Sequence, residues 1–151
     1  MILESIVQHK IEEVSRRKAD LSLPELERRI RGIRPAGDFA GAIRSAAVAI
    51  IAEVKKGSPS AGRIREDFDH VAIARTYEEN GAAALSVITD RRFFEGDASF
   101  LSDIRRETTM PLLRKDFVID PYQIYETVLL GGDAILLVAR ILELQQLRDF
   151  T

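Results

Sequence analysis

The chain opens on an amphipathic pattern. Leu3, Ile6, Val7, Lys10, Ile11 and Val14 recur at helical spacing within residues 2–18, and charges take the other face. This predicts a helix with one buried stripe. Ser22-Leu23-Pro24-Glu25 places a proline in the first turn of a second helix that ends near Arg31. Gly32 to Gly37 breaks the pattern, and residues 39–44 predict one more turn of helix. From Ala47 the texture changes. Ala47-Val48-Ala49-Ile50-Ile51-Ala52 is the near-continuous apolar run of a strand covered on both faces. Further strands are predicted at 84–89, 111–115 and 134–139. Helices at 71–80, 99–108, 121–130 and 143–150 alternate with them. Gly81 and Gly131-Gly132 stop two of these helices.

Four strand–helix alternations predict βαβ units and a parallel sheet. Right-handed crossovers curl such units into a barrel. A complete eight-unit barrel takes roughly 200–250 residues. The expected fold is therefore α/β, with residues 47–151 forming the first four β/α units, about half of a TIM-type (β/α)8 barrel. Residues 1–46 form a helical extension.

Composition narrows the function classes. Among 151 residues, 46% are apolar and 30% charged, and the net charge is −2. That balance suggests neither nucleic acid nor an anionic membrane surface as partner. With no cysteine, neither a disulfide nor a thiolate metal site is expected, and His9 and His70 alone argue against a histidine-rich one. No apolar run approaches the ~20 residues of a membrane span. The charged N-terminus does not read as a signal peptide, which makes the cytoplasm the default compartment.

The candidate chemistry lies at two strand ends. Lys55 closes Ile51-Ala52-Glu53-Val54-Lys55, and Lys115 lies in Leu112-Leu113-Arg114-Lys115-Asp116. A parallel barrel brings both ammonium groups to the end where such folds do chemistry. Two converging cations suit an anionic substrate, or an acid that protonates it. Side-chain alternation puts Ile51, Glu53 and Lys55 on one face. Glu53 would keep Lys55 charged and aimed; a structural ion pair is the alternative. Leu113 and Phe117 would partly desolvate Lys115, a setting that suits a general acid; the alternative is a surface lysine beyond the strand. Gly57-Ser58-Pro59-Ser60-Ala61-Gly62 either offers N–H and hydroxyl groups to an anion or is a plain turn. Phe93-Phe94-Glu95-Gly96 either walls an aromatic substrate or covers the core. Pro121-Tyr122-Gln123-Ile124-Tyr125-Glu126 reads as a structural helix start. The runs Arg16-Arg17-Lys18 and Arg91-Arg92 read as solvated faces, and the two histidines as surface residues.

Taken in order, Glu53-Val54-Lys55-Lys56-Gly57-Ser58-Pro59-Ser60, Leu85-Ser86-Val87-Ile88-Thr89-Asp90 with Phe93-Phe94-Glu95-Gly96, Leu113-Arg114-Lys115-Asp116-Phe117 and Tyr122-Gln123-Ile124-Tyr125-Glu126 resemble indole-3-glycerol phosphate synthase, a barrel enzyme of tryptophan biosynthesis. The resemblance runs from the N-terminal helix to the last residue. It implies a carboxy-lyase that closes the pyrrole ring of indole from 1-(2-carboxyphenylamino)-1-deoxyribulose 5-phosphate, with loss of CO2 and water and no cofactor or metal. It makes Lys115 the general acid at the ketone oxygen. Lys55 would hold a substrate anion and assist dehydration, with Glu53 orienting it and moving protons. Ser58 would meet the anionic end of the substrate, and Phe94, Leu113 and Phe117 would line the anthranilate pocket. The segment 1–46 would cap the barrel mouth.

Two departures stand out. Ala61 occupies a place where many relatives carry lysine, so the loop lacks one positive charge. The family's strands five to eight, with their catalytic glutamate, asparagine, arginine and Glu-Ser pair and the main phosphate loops, are not expected in this chain. The implied partners are a small phosphorylated molecule and the complementary C-terminal half. The alternatives are a non-catalytic half barrel that self-associates and a related phosphate-binding barrel such as phosphoribosylanthranilate isomerase. The latter lacks the combination of Glu-x-Lys with Arg-Lys-Asp-Phe.

Overall fold

A computed structural model describes residues 2–34, 36–45, 47–59, 62–64 and 66–151, apart from the side chain of Arg63. Three helices come first: α1 (Ile2–Asp20), α2 (Leu23–Ile30) and α3 (Phe39–Arg44). The strands and helices that follow are β1 (Ile51–Val54), β2 (Gly57–Ser58), β3 (Gly62–Arg63), α4 (His70–Glu79), β4 (Ala84–Ile88), α5 (Arg91–Phe94), α6 (Ser99–Arg105), β5 (Leu112–Lys115), α7 (Pro121–Leu129), β6 (Ala134–Ile135) and α8 (Leu144–Asp149). Strands β1, β4, β5 and β6 form one parallel sheet in that order. Each step between neighbours passes through at least one helix. This is the α/β arrangement of a partial (β/α)8 barrel.

Pleating sorts the strand residues by face. Ala52, Val54, Leu85, Val87 and Leu112 point outward and bury against Ala74 of α4 and Leu101 and Ile104 of α6. Glu53, Ser86 and Leu113 share one row on the opposite face. Burying apolar side chains on the helix-covered face contributes about 1.5–3 kcal/mol each, so this layer carries most of the stability. A second cluster joins Val14 and Leu26 to Tyr122. It seats α1 and α2 against α7, whose first turn is fixed by a reciprocal Asp120–Gln123 cap. The aromatic start of α7 is thus packing, as its sequence suggests.

Four local features differ from expectation. The first strand begins at Ile51 rather than Ala47, because its partner ladder starts at Ala84. Val48 and Ile50 therefore lie exposed ahead of it. The last strand is short. Leu136 extends its ladder by one bond to Arg114, and the chain then turns into a 3-10 segment, Ala139–Ile141. Gly57 and Ser58 pair antiparallel with Arg63 and Gly62 as a small hairpin. Ser60 and Ala61, the latter marking the lysine departure, lie outside the described residues. Finally, Phe93 and Phe94 ride on the short helix α5 instead of an open loop. Among the described residues no helix is long and apolar enough to cross a membrane.

The turn after α5 is tightly specified. Glu95 takes a left-handed conformation (φ 53°), and the next residue, Gly96, donates to the Asp90 carbonyl at 2.8 Å. A Cβ at Gly96 would lie 2.4 Å from the Ile88 carbonyl oxygen. Backbone cannot yield there as a flexible side chain could. Gly96→Ala should therefore destabilise the fold by about 1–3 kcal/mol. Urea denaturation would show this as a lower midpoint at unchanged slope; an unshifted midpoint would mean that the strand end gives way freely.

Candidate active site

Glu53 lies between the two lysines. Its Oε1 is 3.2 Å from Lys55 Nζ, and its Oε2 pairs with Lys115 Nζ across the intervening strand. Burial opposes ionisation of Glu53. The hydrogen bond and charge of Lys115, then those of Lys55, outweigh it and hold the carboxyl below its ordinary pKa. Lys115 itself remains 40% exposed, so an acidic partner rather than an apolar sleeve defines its surroundings.

Beside Lys115 is a small, mostly apolar cavity of about 50 Å³, walled by Ile88, Asp90, Phe94, Phe117 and Leu136. The Phe94 and Phe117 rings meet at 6.1 Å between centroids, tilted by 40°. Strand β5 brings Lys115 and Phe117 to this wall, and α5 brings Phe94. Leu113 lies deeper on the inner face, in the row of Ser86 and Glu53. Ser58 is half-buried in the hairpin, and neither it, Lys55 nor Leu113 lines this cavity.

Beneath the cavity runs a network of buried charges. Lys10 of α1 has no exposed surface. Its Nζ lies 2.8 Å from Asp116 Oδ1, 2.9 Å from Glu13 Oε2 and 3.0 Å from Asp90 Oδ2. Asp116 Oδ2 accepts from Thr89 Oγ1 at 2.7 Å and from Arg114 at 3.0 Å. Arg114, fully buried on the helix side of β5, also reaches Glu126 at 2.7 Å, and Arg17 meets the same Glu126 oxygen at 2.8 Å. Burial alone would push the Asp116 carboxyl up. The charges of Arg114 and Lys10, with hydrogen bonds from Lys10 and Thr89, hold it far below the usual carboxylate range. Burial likewise works against the Lys10 ammonium, but Asp116 first, then Asp90 and Glu13, raise its pKa.

No site role was read for these residues from the sequence, yet one signal was readable. Lys10 is a charge on the buried stripe of an amphipathic helix, and such a charge requires buried acids. Nor are the basic runs purely solvated. Arg17 joins the network, and Arg92 lies over the Phe93 ring at 5.6 Å. His9 of α1 meets Phe93 edge-on at 6.0 Å and lies 3.0 Å from an Arg92 nitrogen.

A carboxylate whose folded pKa lies below its unfolded value contributes stability above the unfolded value, about 4.3 for glutamate, and loses it as pH falls through the folded value. Glu53→Gln should flatten the pH dependence of stability below pH of about 4.3, by less than ~1 kcal/mol because the site is solvent-screened. Urea midpoints measured from pH 3 to 6, near and below that reference value, check this; parallel curves for the two proteins would remove the claimed coupling.

A family model described as indole-3-glycerol phosphate synthase matches residues 3–151. The curated relatives carry the same name. That of Legionella pneumophila (strain Lens) is 49% identical over 151 residues, covering 99% of this chain and 57% of the relative. That of Thermoanaerobacter pseudethanolicus is 43% identical over 150 residues, with the same two coverages of 99% and 57%. That of Caldanaerobacter subterraneus subsp. tengcongensis is 50% identical over 143 residues, covering 95% of this chain and 55% of the relative. The chain thus spans a little over half the length of these relatives. With a partial barrel, two strand-end lysines on one glutamate and a match along nearly its whole length, the chain belongs to the indole-3-glycerol phosphate synthase family.

Proposed function

We propose that this chain provides the catalytic strand ends of a cytoplasmic indole-3-glycerol phosphate synthase of tryptophan biosynthesis. The observation that carries this reading is Glu53 bridging Lys55 and Lys115 beside the Phe94–Phe117 wall. The substrate's anthranilate ring lies against the Phe94–Phe117 wall, at the mouth of that small cavity. Its carboxyl-bearing ring carbon attacks the ketone carbon while Lys115 Nζ gives a proton to the ketone oxygen. Loss of CO2 returns the electron pair to the ring. Protonation of the new hydroxyl, assisted by Lys55, lets it leave as water, while the adjacent ring carbon gives up its proton so that the C=C bond of the pyrrole forms; Glu53 takes up that proton and returns it to the lysines. The positions of Leu113 and Ser58 suit the pocket floor and the substrate's anionic end. The helices α1 and α2 form a cap over the mouth. The strands that complete the barrel in the relatives would supply the remaining contacts.

The test is formation of indole-3-glycerol phosphate, followed by absorbance, with this chain joined to those remaining strands. Lys115→Ala should lower kcat by roughly 10²–10⁴-fold, the usual worth of a placed general acid. Activity that survives the substitution would assign the acid elsewhere.

Self-association is a second reading, favoured by apolar exposure next to the free side of β1. Val48 is 82% and Ile50 62% exposed. Two copies pairing along this edge would sediment as a dimer that Ile50→Lys dissociates. A monodisperse monomer at high concentration excludes it.

A further inference from the structure

We infer that Lys10 is a positioning residue for the proposed site: by joining Asp116 to Asp90 it holds the acid Lys115 and the Phe94 wall to one position of α1. The inference rests on the reading above.

Apolar contact would have sufficed to dock α1, because Ile6 and Val14 on the same stripe are already buried. Such contact tolerates sliding. A helix can move by one turn, about 5.4 Å, and meet similar apolar surface. A buried ammonium among carboxylates cannot, because its displacement leaves charges unpaired. Lys10 therefore selects one register.

Its acids lie at both sides of the cavity. Asp116 directly follows Lys115. Its Oδ1, the atom 2.8 Å from Lys10, also accepts the Phe117 N–H at 2.8 Å. With Thr89 and Arg114 on Oδ2, this carboxylate has no rotational freedom left. Asp90 caps α5 through Oδ1, which accepts from Phe93 N at 2.8 Å. Its Oδ2 faces Lys10 at 3.0 Å without an aligned hydrogen bond, although it is fully buried. Lys10 is thus what compensates that oxygen. The third carboxylate on Lys10 is Glu13 of its own helix, which Arg17 also holds.

The experiment measures kcat and KM per folded enzyme in the completed barrel for Lys10→Met, alone and combined with Lys115→Ala. Lys10→Met should lower kcat by roughly 10²-fold, the cost of ångström-scale misplacement, with a smaller change in KM. On Lys115→Ala it should lower the residual rate less than about twofold, because residues acting as a unit are non-additive. Asp90→Asn, which keeps the cap acceptor, should lower kcat in the same sense, and it decides the matter if Lys10→Met does not fold. Unchanged kcat in the variant that folds, or an equal loss in both backgrounds, overturns the inference and assigns Lys10 to stability alone. A wild-type enzyme with no turnover would instead sink the functional reading.

Discussion

Lys10 has no contact with solvent, and three carboxylates surround its ammonium at 2.8–3.0 Å. Removing one partner from such a buried pair costs about 3–5 kcal/mol, whereas replacing the whole set by apolar groups is often neutral. Stability is therefore a weak reason for this cluster. Its effect is geometric. It ties α1 to the ends of β4 and β5, and through Arg114, Glu126 and Arg17 to α7. Four elements distant in sequence thus share one set of charges.

The apolar layers and the charge network divide the work. Leu85, Val87, Leu101, Ile104 and Leu112 are fully buried between sheet and helices, and supply the transfer free energy that folds the chain. That layer fixes the sheet but leaves the inner face open for polar residues. Glu53 can stand on the inner face because Ala52 and Val54, its neighbours, bury on the other. The alternation that builds the core also places the site, so one cannot shift in register without the other.

Much of this was legible in the sequence. Periodicity located the helices and the parallel strands, since buried parallel strands and amphipathic helices differ in apolar texture. Glu53, Lys55 and Lys115 were legible as strand-end residues sharing a face. What pattern could not supply was pairing. Ala47 to Ile50 is as apolar as any strand here, but among the described residues the ladder reaches it only at the Ile50 carbonyl, which accepts from Ala83 N–H at 2.8 Å. Helix α5 is too short for periodicity and depends on the Asp90 cap. The Lys10–Asp90–Asp116 contact joins three segments far apart in the chain, and spacing carries no information about which acids meet a given base.

The Glu53 bridge also constrains the proposed chemistry. In the structure Lys115 gives its ammonium to a carboxylate. Yet the N–H that Lys115 gives to Glu53 is not the one a ketone oxygen can take. Glu53 has a second cation, Lys55, on its other oxygen. A substrate carbonyl arriving over Phe94 can therefore draw Lys115 away while Lys55 continues to neutralise the glutamate. With a single lysine, the same motion would strand a half-buried carboxylate. In the proposed reaction the pair of strand-end lysines would let one ammonium leave at little electrostatic cost, and Glu53 would serve as a station between proton donors as well as an anchor.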